Sequence, residues 1–229
     1  MRLDRFTCRS TELTKEEAQT SIQNGLVCVN GIAVLDPSVQ VHENNQITLS
    51  KEPLTPRPPR YLMMHKPRDT ICSNIDEAYP SLFNGLKIEK KSELHIAGRL
   101  DADTTGLVLI TDDGRWSFDI TNPSKQCKKV YQVTLRDPLR SDVKEALTEG
   151  IMLQGEHKPT LPAELVVMQE RLVMLTITEG RFHQVKRMFA AVGNKVLNLH
   201  RVQIGDIQLD LNIGEWRFLT EQEIRSFDQ

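Results

Sequence analysis

A proline-rich stretch in the first quarter of the chain constrains the fold more than any other feature. Lys51 to Arg60 reads Lys-Glu-Pro-Leu-Thr-Pro-Arg-Pro-Pro-Arg. Because each proline ring fixes φ and removes a backbone donor, this stretch cannot form a helix and favours an extended, semi-rigid spacer. We therefore predict two domains, in residues 1–50 and 61–229, joined by a linker in residues 51–60. A chain of 229 residues is long enough for both.

The first domain carries the signals of a helix followed by a β-hairpin. Thr14 is a good N-cap, and Glu17 three residues later completes a capping box. The helix that begins here is expected to end at Gly25, because glycine is the preferred C-terminal breaker. Apolar runs then flank Asn30-Gly31, which is a strong signal for a two-residue hairpin turn. A further strand at residues 46–49 would complete a small sheet.

The second domain alternates strands and helices irregularly. Apolar runs and alternating patterns predict strands at residues 61–64, 107–111, 130–135, 164–168, 172–178, 196–202 and 216–219. Caps and helical periodicity predict helices at residues 113–120, 141–148 and 181–192, and a short one from residue 220. The predicted fold class is α+β, with a mostly antiparallel mixed sheet preceded by a small α/β module.

Two carboxylates lie on an irregular loop in front of a buried strand. Asp101 and Asp103 stand between Gly98 and Gly106, and the short apolar run that follows has the length of a buried strand. Threonines beside Asp103 favour a structural role for it, as an acceptor within the loop. Asp101 is then the carboxylate left for chemistry, and Arg99 is two residues away from it.

The spacing Asp-x-Asp-x-Thr also matches the nucleophile motif of a magnesium-dependent phosphatase class. That motif has an apolar strand before its first aspartate, so that both carboxylates emerge at the carboxyl end of the strand. Here the apolar run follows Asp103 instead. The phosphatase therefore stays a minor alternative, which loss of activity with a chelator would revive.

The predicted helix at residues 181–192 is the second informative segment. Its apolar side is formed by Phe182, Val185, Met188, Phe189 and Val192. Lys186 lies at the border of this side, where a lysine either reaches a cleft with its ammonium group or only covers apolar surface with its stem. His183 and Arg187 are one turn apart on the outer side, as a phosphate-contacting pair would be.

Charge is distributed in a way that favours a nucleic-acid partner. The formal net charge of −2 argues against one, but basic residues cluster at residues 51–68, 125–140 and 179–201. The tail from residue 202 is acidic. Local patches decide phosphate binding, so RNA or DNA binding is expected.

The remaining composition indicates an ordinary globular protein of a reducing compartment. Mean hydropathy is −0.38, and no apolar run approaches the length of a membrane span. No apolar segment of a signal peptide follows Met1-Arg2-Leu3-Asp4. The four cysteines are scattered and form no Cys-x-x-Cys pair, so we expect no metal site and a cytoplasmic location.

The first domain resembles the S4 RNA-binding module. The matching segments are Arg2-Leu3-Asp4-Arg5-Phe6, Thr14-Lys15, Ala18, Ile22, Gly25 and Val29-Asn30-Gly31. The resemblance implies that Arg2, Arg5 and Lys15 bind RNA. The family usually has Ser-Arg where this chain has Thr14-Lys15, which keeps the charge but loses the guanidinium fork.

Three motifs of the second domain resemble the RsuA family of pseudouridine synthases. They are Gly98-Arg99-Leu100-Asp101 with Asp103-Thr104-Thr105-Gly106-Leu107, Lys129-Val130-Tyr131, and Glu179-Gly180-Arg181-Phe182-His183-Gln184-Val185-Lys186-Arg187-Met188. With the S4-like start, the likeness extends over nearly the whole chain. It is nearest to the branch that acts on 16S ribosomal RNA at uridine 516.

This resemblance implies a role for each matching residue. Asp101 would be the catalytic aspartate, and Tyr131 would pack against the target base. Lys186 falls where related branches have an arginine that pairs with the aspartate. Lys186 and Arg99 would both be substrate-binding residues. Arg181, His183 and Arg187 would add to RNA binding. A departure is Asp69, where the family commonly has glycine, so the local turn is expected to differ.

The reaction implied is an isomerisation, which involves neither redox change nor hydrolysis and needs no cofactor. The expected substrate is 16S rRNA or a small-subunit assembly intermediate, acted on by a monomer. A carboxylate can attack the anomeric carbon, stabilise positive charge there, or remove a ribose proton, and the sequence does not choose among these. The alternative from another class is a non-catalytic RNA-binding assembly factor in which the aspartate loop is a relic.

Overall fold

The computed structural model describes residues 1–42 and 44–227. The chain divides into two compact units, one covering Met1–Pro58 and the other beginning at Pro59. Glu43 and the predicted end of the second domain at residues 228–229 lie outside the described residues. None of the described helices is long and apolar enough to cross a membrane.

The first unit packs two helices on a four-stranded sheet of order β2-β1-β3-β4. Its elements are α1 (Leu3–Ser10), α2 (Lys15–Gln23), β1 (Val27–Val29), β2 (Ile32–Ala33), β3 (Ile47–Leu49) and β4 (Glu52–Pro53). The predicted capping box is confirmed, since the Thr14 side chain accepts from the backbone N–H of Glu17. The hairpin is confirmed too: Asn30 and Gly31 both have positive φ, as its two-residue turn requires.

The stretch predicted as a linker belongs largely to this first unit. Strand β4 pairs with β3 through Thr48 and Pro53, and the backbone N–H of Leu54 donates to the carbonyl of Ile47. Proline is tolerated here because β4 is an edge strand. Pro53 has no N–H to donate, and among the described residues the side of β4 away from β3 has no neighbouring strand that would need one. The division between the units therefore falls after Pro58, near the end of the predicted linker.

The second unit is built on a nine-stranded mixed sheet of order β13-β5-β7-β11-β8-β10-β9, with β6 paired to β7 and β12 to β11. Its strands are β5 (Tyr61–Lys66), β6 (His95–Ala97), β7 (Thr105–Thr111), β8 (Lys129–Leu135), β9 (Glu164–Gln169), β10 (Leu172–Ile177), β11 (Val196–Ile204), β12 (Ile207–Gln208) and β13 (Trp216–Phe218). Its helices are α3 (Gly114–Thr121), α4 (Val143–Glu149), α5 (Gln184–Ala191) and α6 (Glu221–Arg225). Only the β7–β11 pairing among these described strands is parallel, which confirms the α+β, mostly antiparallel prediction.

Burial on the strands explains the sequence patterns. In β8 the predicted face of Tyr131, Val133 and Leu135 is buried, and the residues between are more exposed. In β7 every second residue, such as Val108, packs into one apolar core, and the alternate residues, such as Leu109, pack into another. Because both faces of β7 are covered, its sequence reads as a continuous apolar run.

The helix predicted at residues 181–192 begins three residues later than expected. His183 has φ 48° and ψ 32°, which is a left-handed conformation. A right-handed helix cannot include such a residue, so α5 begins only after His183. The assignment of Phe182 to the apolar side is therefore wrong, and its side chain is 75% exposed. Val185, Met188 and Phe189 are buried as predicted.

Gly106 allows β7 and β11 to approach each other. It has φ 113° and pairs in parallel register with Arg201. A Cβ atom at this position would lie far inside van der Waals contact with the backbone of Arg201. The glycine that closes the aspartate loop is thus required by strand pairing as well as by its own φ.

Gly106→Ala is expected to lower the free energy of unfolding by at least about 3 kcal/mol, because backbone rather than a flexible side chain obstructs the new methyl group. Urea denaturation measures the change. Gly114→Ala is the matched control: no heavy atom lies within 4 Å of the added Cβ, and alanine suits the start of α3. It should shift stability by less than about 1 kcal/mol. Equal stability of the two variants would contradict the close approach.

Candidate active site

The loop between β6 and β7 brings Asp101 to Lys186. The ammonium Nζ of Lys186 donates to Asp101 Oδ2 at 2.8 Å and to Asp103 Oδ1 at 2.6 Å. The Asp101 side chain is 28% exposed, so its carboxylate is accessible from solvent. Lys186 thus directs its ammonium group to the carboxylates of the loop, and Asp103 shares this lysine with Asp101.

His183 approaches the second oxygen of the same carboxylate. Its Nε2 lies 3.4 Å from Asp101 Oδ1, and its ring stacks on the ring of Phe182 at 3.7 Å between centroids. His183 has a left-handed backbone and immediately precedes α5. Both oxygens of Asp101 therefore have a basic group near them.

The charges of this cluster shift the pKa values of its members. Burial acts to lower the pKa of Lys186, but hydrogen bonds to Asp101 and Asp103 outweigh it and the pKa is raised. Burial likewise acts to raise the pKa of Asp103, but the hydrogen bond from Lys186 outweighs it and the pKa is lowered. The lysine is consequently held as a cation between carboxylates.

Arg201 holds the two ends of the aspartate loop. It was not among the site residues predicted from the sequence. This residue of β11 is 1% exposed. Its Nη2 donates to the carbonyl of Gly98 at 2.6 Å and its Nε to the carbonyl of Leu107 at 2.8 Å. Its Nη1 donates to the hydroxyl of Tyr131 at 3.3 Å. One guanidinium thus joins the start of the loop, the strand after it and the tyrosine.

A signal for Arg201 was present in the sequence. It stands between Leu199 and Ile204, which are both buried residues of the same strand. A charged residue among the inward-facing positions of a strand indicates a buried charge with specific partners. The partners themselves are 70 to 103 positions away along the chain, beyond the reach of any local pattern.

Lys66, at the end of β5, holds the middle of the same loop. It is fully buried, and its Nζ donates to the carbonyls of Pro67, Ala102 and Thr104 at 2.8–3.1 Å. Burial lowers the pKa of this ammonium group. The backbone N–H of Asp69 adds a bond to Ala102 at 2.8 Å. With these carbonyls facing Lys66, the Asp101 side chain is left to project outward.

Asp69 adopts a conformation that glycine takes easily. Its φ is 59°, within the left-handed region that Asp tolerates better than most residues. Aspartate, which stands here in place of the family's glycine, can therefore adopt the left-handed conformation of this turn.

The other predicted substrate-binding residues differ in accessibility. Tyr131 is 7% exposed and lies with its ring 5.9 Å from the guanidinium carbon of Arg201. Arg99 is exposed, on the loop beside Asp101. Lys186 therefore binds the carboxylates of the loop, Tyr131 is connected to its two ends through Arg201, and Arg99 lies on the loop itself.

The predicted RNA-binding residues of the second unit are used within the protein. Arg181 donates to the carbonyls of Lys158 and Pro159 and to Glu179. Arg187 donates to Glu156 and to the carbonyls of Gln154 and Phe182. These guanidinium groups clamp the turn before α5. The phosphate contacts predicted for the pair of His183 and Arg187 stay a prediction.

In the first unit the predicted RNA-binding residues are exposed. Arg5 and Lys15 present their side chains to solvent. Arg2 is also exposed, although its guanidinium forms a two-bond contact with the buried carboxylate of Asp4. Within residues 1–42 and 44–227, no cluster of three His, Cys, Asp or Glu side chains is placed to hold a metal ion.

The fold and this site define the class of protein. A mixed sheet that presents an aspartate loop, preceded in the chain by a small helix–hairpin unit, is the architecture of an RNA pseudouridylate synthase with an S4 domain. Residues 60–191 match the family described as RNA pseudouridylate synthase, and residues 1–47 match the S4 domain family.

Individual relatives extend the match over the whole chain. The chain is 48% identical over 227 residues to the ribosomal small subunit pseudouridine synthase A of Haemophilus influenzae, with 98% of each protein covered. It is 44% identical over 229 residues to the protein of the same name from Escherichia coli, with 99% of each covered. A crystal structure of a pseudouridylate synthase superposes with a TM-score of 0.74 at 46% identity, covering 99% of each chain. The chain belongs to the RsuA family of pseudouridine synthases and is an enzyme of that class.

Lys186→Met is expected to raise the pKa of Asp103. In the wild type the lysine is the main cause that holds this pKa below its ordinary value of 3.8. In the variant the effect of burial is opposed only by the lesser effects of a backbone hydrogen bond and the charge of Arg68. The lysine's contribution to stability is present above that value and disappears as the pH falls through the lowered pKa. Carbon-13 NMR titration of the side-chain carboxyl reports it, with Lys144→Met as an exposed control. An unchanged titration of Asp103 would contradict the ion pair.

Lys66→Met is expected to lower the free energy of unfolding by about 1–3 kcal/mol, because buried carbonyls lose their donor. It should also lower kcat for pseudouridine formation, since the Asp101 loop loses its support. Lys144→Met, an exposed substitution on α4, should change stability by less than about 0.5 kcal/mol. Denaturant unfolding and a turnover assay measure both effects. Full activity in Lys66→Met would show that the loop does not depend on this ammonium group.

Proposed function

We propose that this enzyme isomerises a uridine of 16S ribosomal RNA to pseudouridine, with Asp101 as the catalytic residue, and that the target is uridine 516. The observation that carries the proposal is the accessible carboxylate of Asp101, contacted by Lys186 on one oxygen and approached by His183 on the other. The relatives named as small-subunit synthases support the choice of RNA, since the chain matches them from end to end.

The reaction breaks the bond from the ribose C1′ to N1 of uracil and forms a bond from C1′ to C5. The base turns between these steps, N1 gains a proton and C5 loses one, so no oxidant, reductant or water is consumed. Asp101 acts on the ribose side, by attack on the anomeric carbon, by stabilising positive charge there or by removing a ribose proton. Each of these requires a carboxylate within reach of the sugar, which a 28% exposed side chain offers.

The residues around Asp101 hold the nucleoside and the carboxylate. Lys186 fixes the carboxylate and keeps positive charge beside it. The target uridine must leave its stack to enter the site, at a cost of roughly a few kcal/mol. Tyr131 recovers about 1–3 kcal/mol of this by packing against the base, and its hydroxyl is fixed by Arg201. Arg99, exposed on the same loop, contacts the substrate as a cation.

The first unit supplies RNA affinity through the S4 fold. Arg2, Arg5 and Lys15 are its exposed cations among the residues matched to that module. Contacts of this kind with phosphates give binding that weakens as salt rises. We propose that the enzyme acts as a monomer in the cytoplasm, on 16S rRNA or on a small-subunit assembly intermediate.

Asp101→Asn is expected to abolish pseudouridine formation, a loss of at least about a thousandfold, because the amide retains the shape but not the charge of the carboxylate. RNA binding should persist within about twofold. Asp103→Asn is the matched control on the same loop, and it should retain activity within about tenfold. The assay combines filter binding with chemical mapping of pseudouridine at single-nucleotide resolution in a 16S transcript and in assembly intermediates.

Each outcome of this experiment has a distinct meaning. Undiminished product with Asp101→Asn would remove the catalytic assignment. Product at a uridine other than 516 would retain the chemistry and change the target. Tight binding with no pseudouridine from the wild-type protein on any of these RNAs would favour the non-catalytic assembly factor.

A further inference from the structure

We propose that the stacked rings of Phe182 and His183 form a platform for an unpaired RNA base next to the target uridine. The inference rests on the proposed function, and it identifies a feature of the substrate: a neighbouring nucleotide that is also out of its stack. Phe182 stands immediately before His183, whose Nε2 lies 3.4 Å from the carboxylate of Asp101. A base on the platform would therefore lie beside the nucleoside that occupies the catalytic site.

Exposure of Phe182 is the first observation. At 75%, its side chain is more exposed than that of any other large apolar residue in the described part of the chain. Among the described residues its ring contact is the nearly parallel stack on His183, with 22° between the ring planes. The pair thus resembles a stack with one open face, which a third flat ring can cover.

A rigid turn holds the two rings in this position. Arg187 donates from its side chain to the carbonyl of Phe182 at 3.1 Å and from its backbone to the carbonyl of His183 at 3.0 Å. Arg181 donates its backbone N–H to the side chain of Gln184 at 2.8 Å, and its guanidinium is bound to two carbonyls of the segment at residues 158–159. These hydrogen bonds hold the turn, and with it the two rings, in one conformation.

Backbone strain supports the same interpretation. His183 adopts a left-handed conformation, which for a residue other than glycine costs about 1 kcal/mol or more. A regular helix from residue 181 would avoid this cost and would bury Phe182 with the other apolar residues of α5. The chain instead exposes the ring beside the reactive carboxylate, so the strained arrangement serves the site and not the core.

RNA fits this platform better than a second protein chain does. A stable protein interface buries about 800 Å² on each partner, whereas one phenylalanine ring offers at most about 250 Å². Cations accompany the carboxylates of the aspartate loop: Lys186 binds both of them, Arg99 is exposed on the loop, and the exposed Arg68 is close enough to act on the charge of Asp103. Base–aromatic stacking next to cations is the usual way of holding unpaired nucleotides.

The geometry of the substrate requires such a surface. Turning one uridine out of a stack leaves the neighbouring base without its partner on that side. An aromatic ring at the rim replaces the lost stacking partner and keeps the flanking nucleotide in a fixed position. The platform would thus contribute to binding in both the ground state and the transition state, and would act on KM more than on kcat.

The test compares Phe182→Leu with Phe182→Trp on a 16S fragment that carries 2-aminopurine next to the target uridine. Stacking on an aromatic ring quenches 2-aminopurine, so the wild type and Phe182→Trp should quench it on binding and Phe182→Leu should not. Phe182→Leu should also raise KM about tenfold, equivalent to about 1.4 kcal/mol of binding, with kcat changed by less than about twofold.

Phe118→Leu is the matched control, because Phe118 is also an exposed phenylalanine, at 58%, but lies on α3. It should behave as the wild type. Wild-type quenching and KM in Phe182→Leu, with normal pseudouridine formation by the wild-type protein, would overturn the platform alone. A dimer in sedimentation that dissociates in Phe182→Leu would overturn it too, by assigning the ring to a protein contact. Absence of product from the wild-type protein would instead refute the proposed function.

Discussion

The buried guanidinium of Arg201 is the contact on which the catalytic unit depends. Its nitrogens bind the carbonyls of Gly98 and Leu107 and the hydroxyl of Tyr131. These partners carry no formal charge, so the energy of removing a cation from water is offset by hydrogen bonds and by the Tyr131 ring, 5.9 Å from the guanidinium carbon. Any displacement of the loop would leave a buried donor unsatisfied. The position of Asp101, three residues after Gly98, is thereby coupled to the packing of the central strands.

Local signals were sufficient for much of the fold. The capping box at Thr14 and the turn at Asn30-Gly31 involve only neighbours in the chain, and both formed as predicted. The alternation in β8 predicted its buried face because side chains of a strand alternate by geometry alone. The pairing of Asp101 with Lys186 was expected from family resemblance, and the two residues are 85 positions apart.

Other features depend on tertiary contacts that no local pattern contains. The helical periodicity assigned Phe182 to the core, but one residue in a left-handed conformation changed the start of α5. No local pattern marks Lys66 as a buried residue, and only the folded loop supplies its three carbonyl partners. The proline-rich stretch was correctly excluded from helices, yet an edge strand accepted one of its prolines. For Lys66 and for the proline-rich stretch, the deciding contact lies outside the segment that carried the signal.

The separate cores of the two units have a consequence for how such an enzyme changes over evolutionary time. Leu3, Ile22 and Val27 belong to a core within the first unit, and the residues behind the aspartate loop belong to cores of the second. Substitutions that retune the affinity of the hairpin module for RNA need not disturb the carboxylate or its lysine. RNA binding and bond rearrangement are thereby open to independent selection.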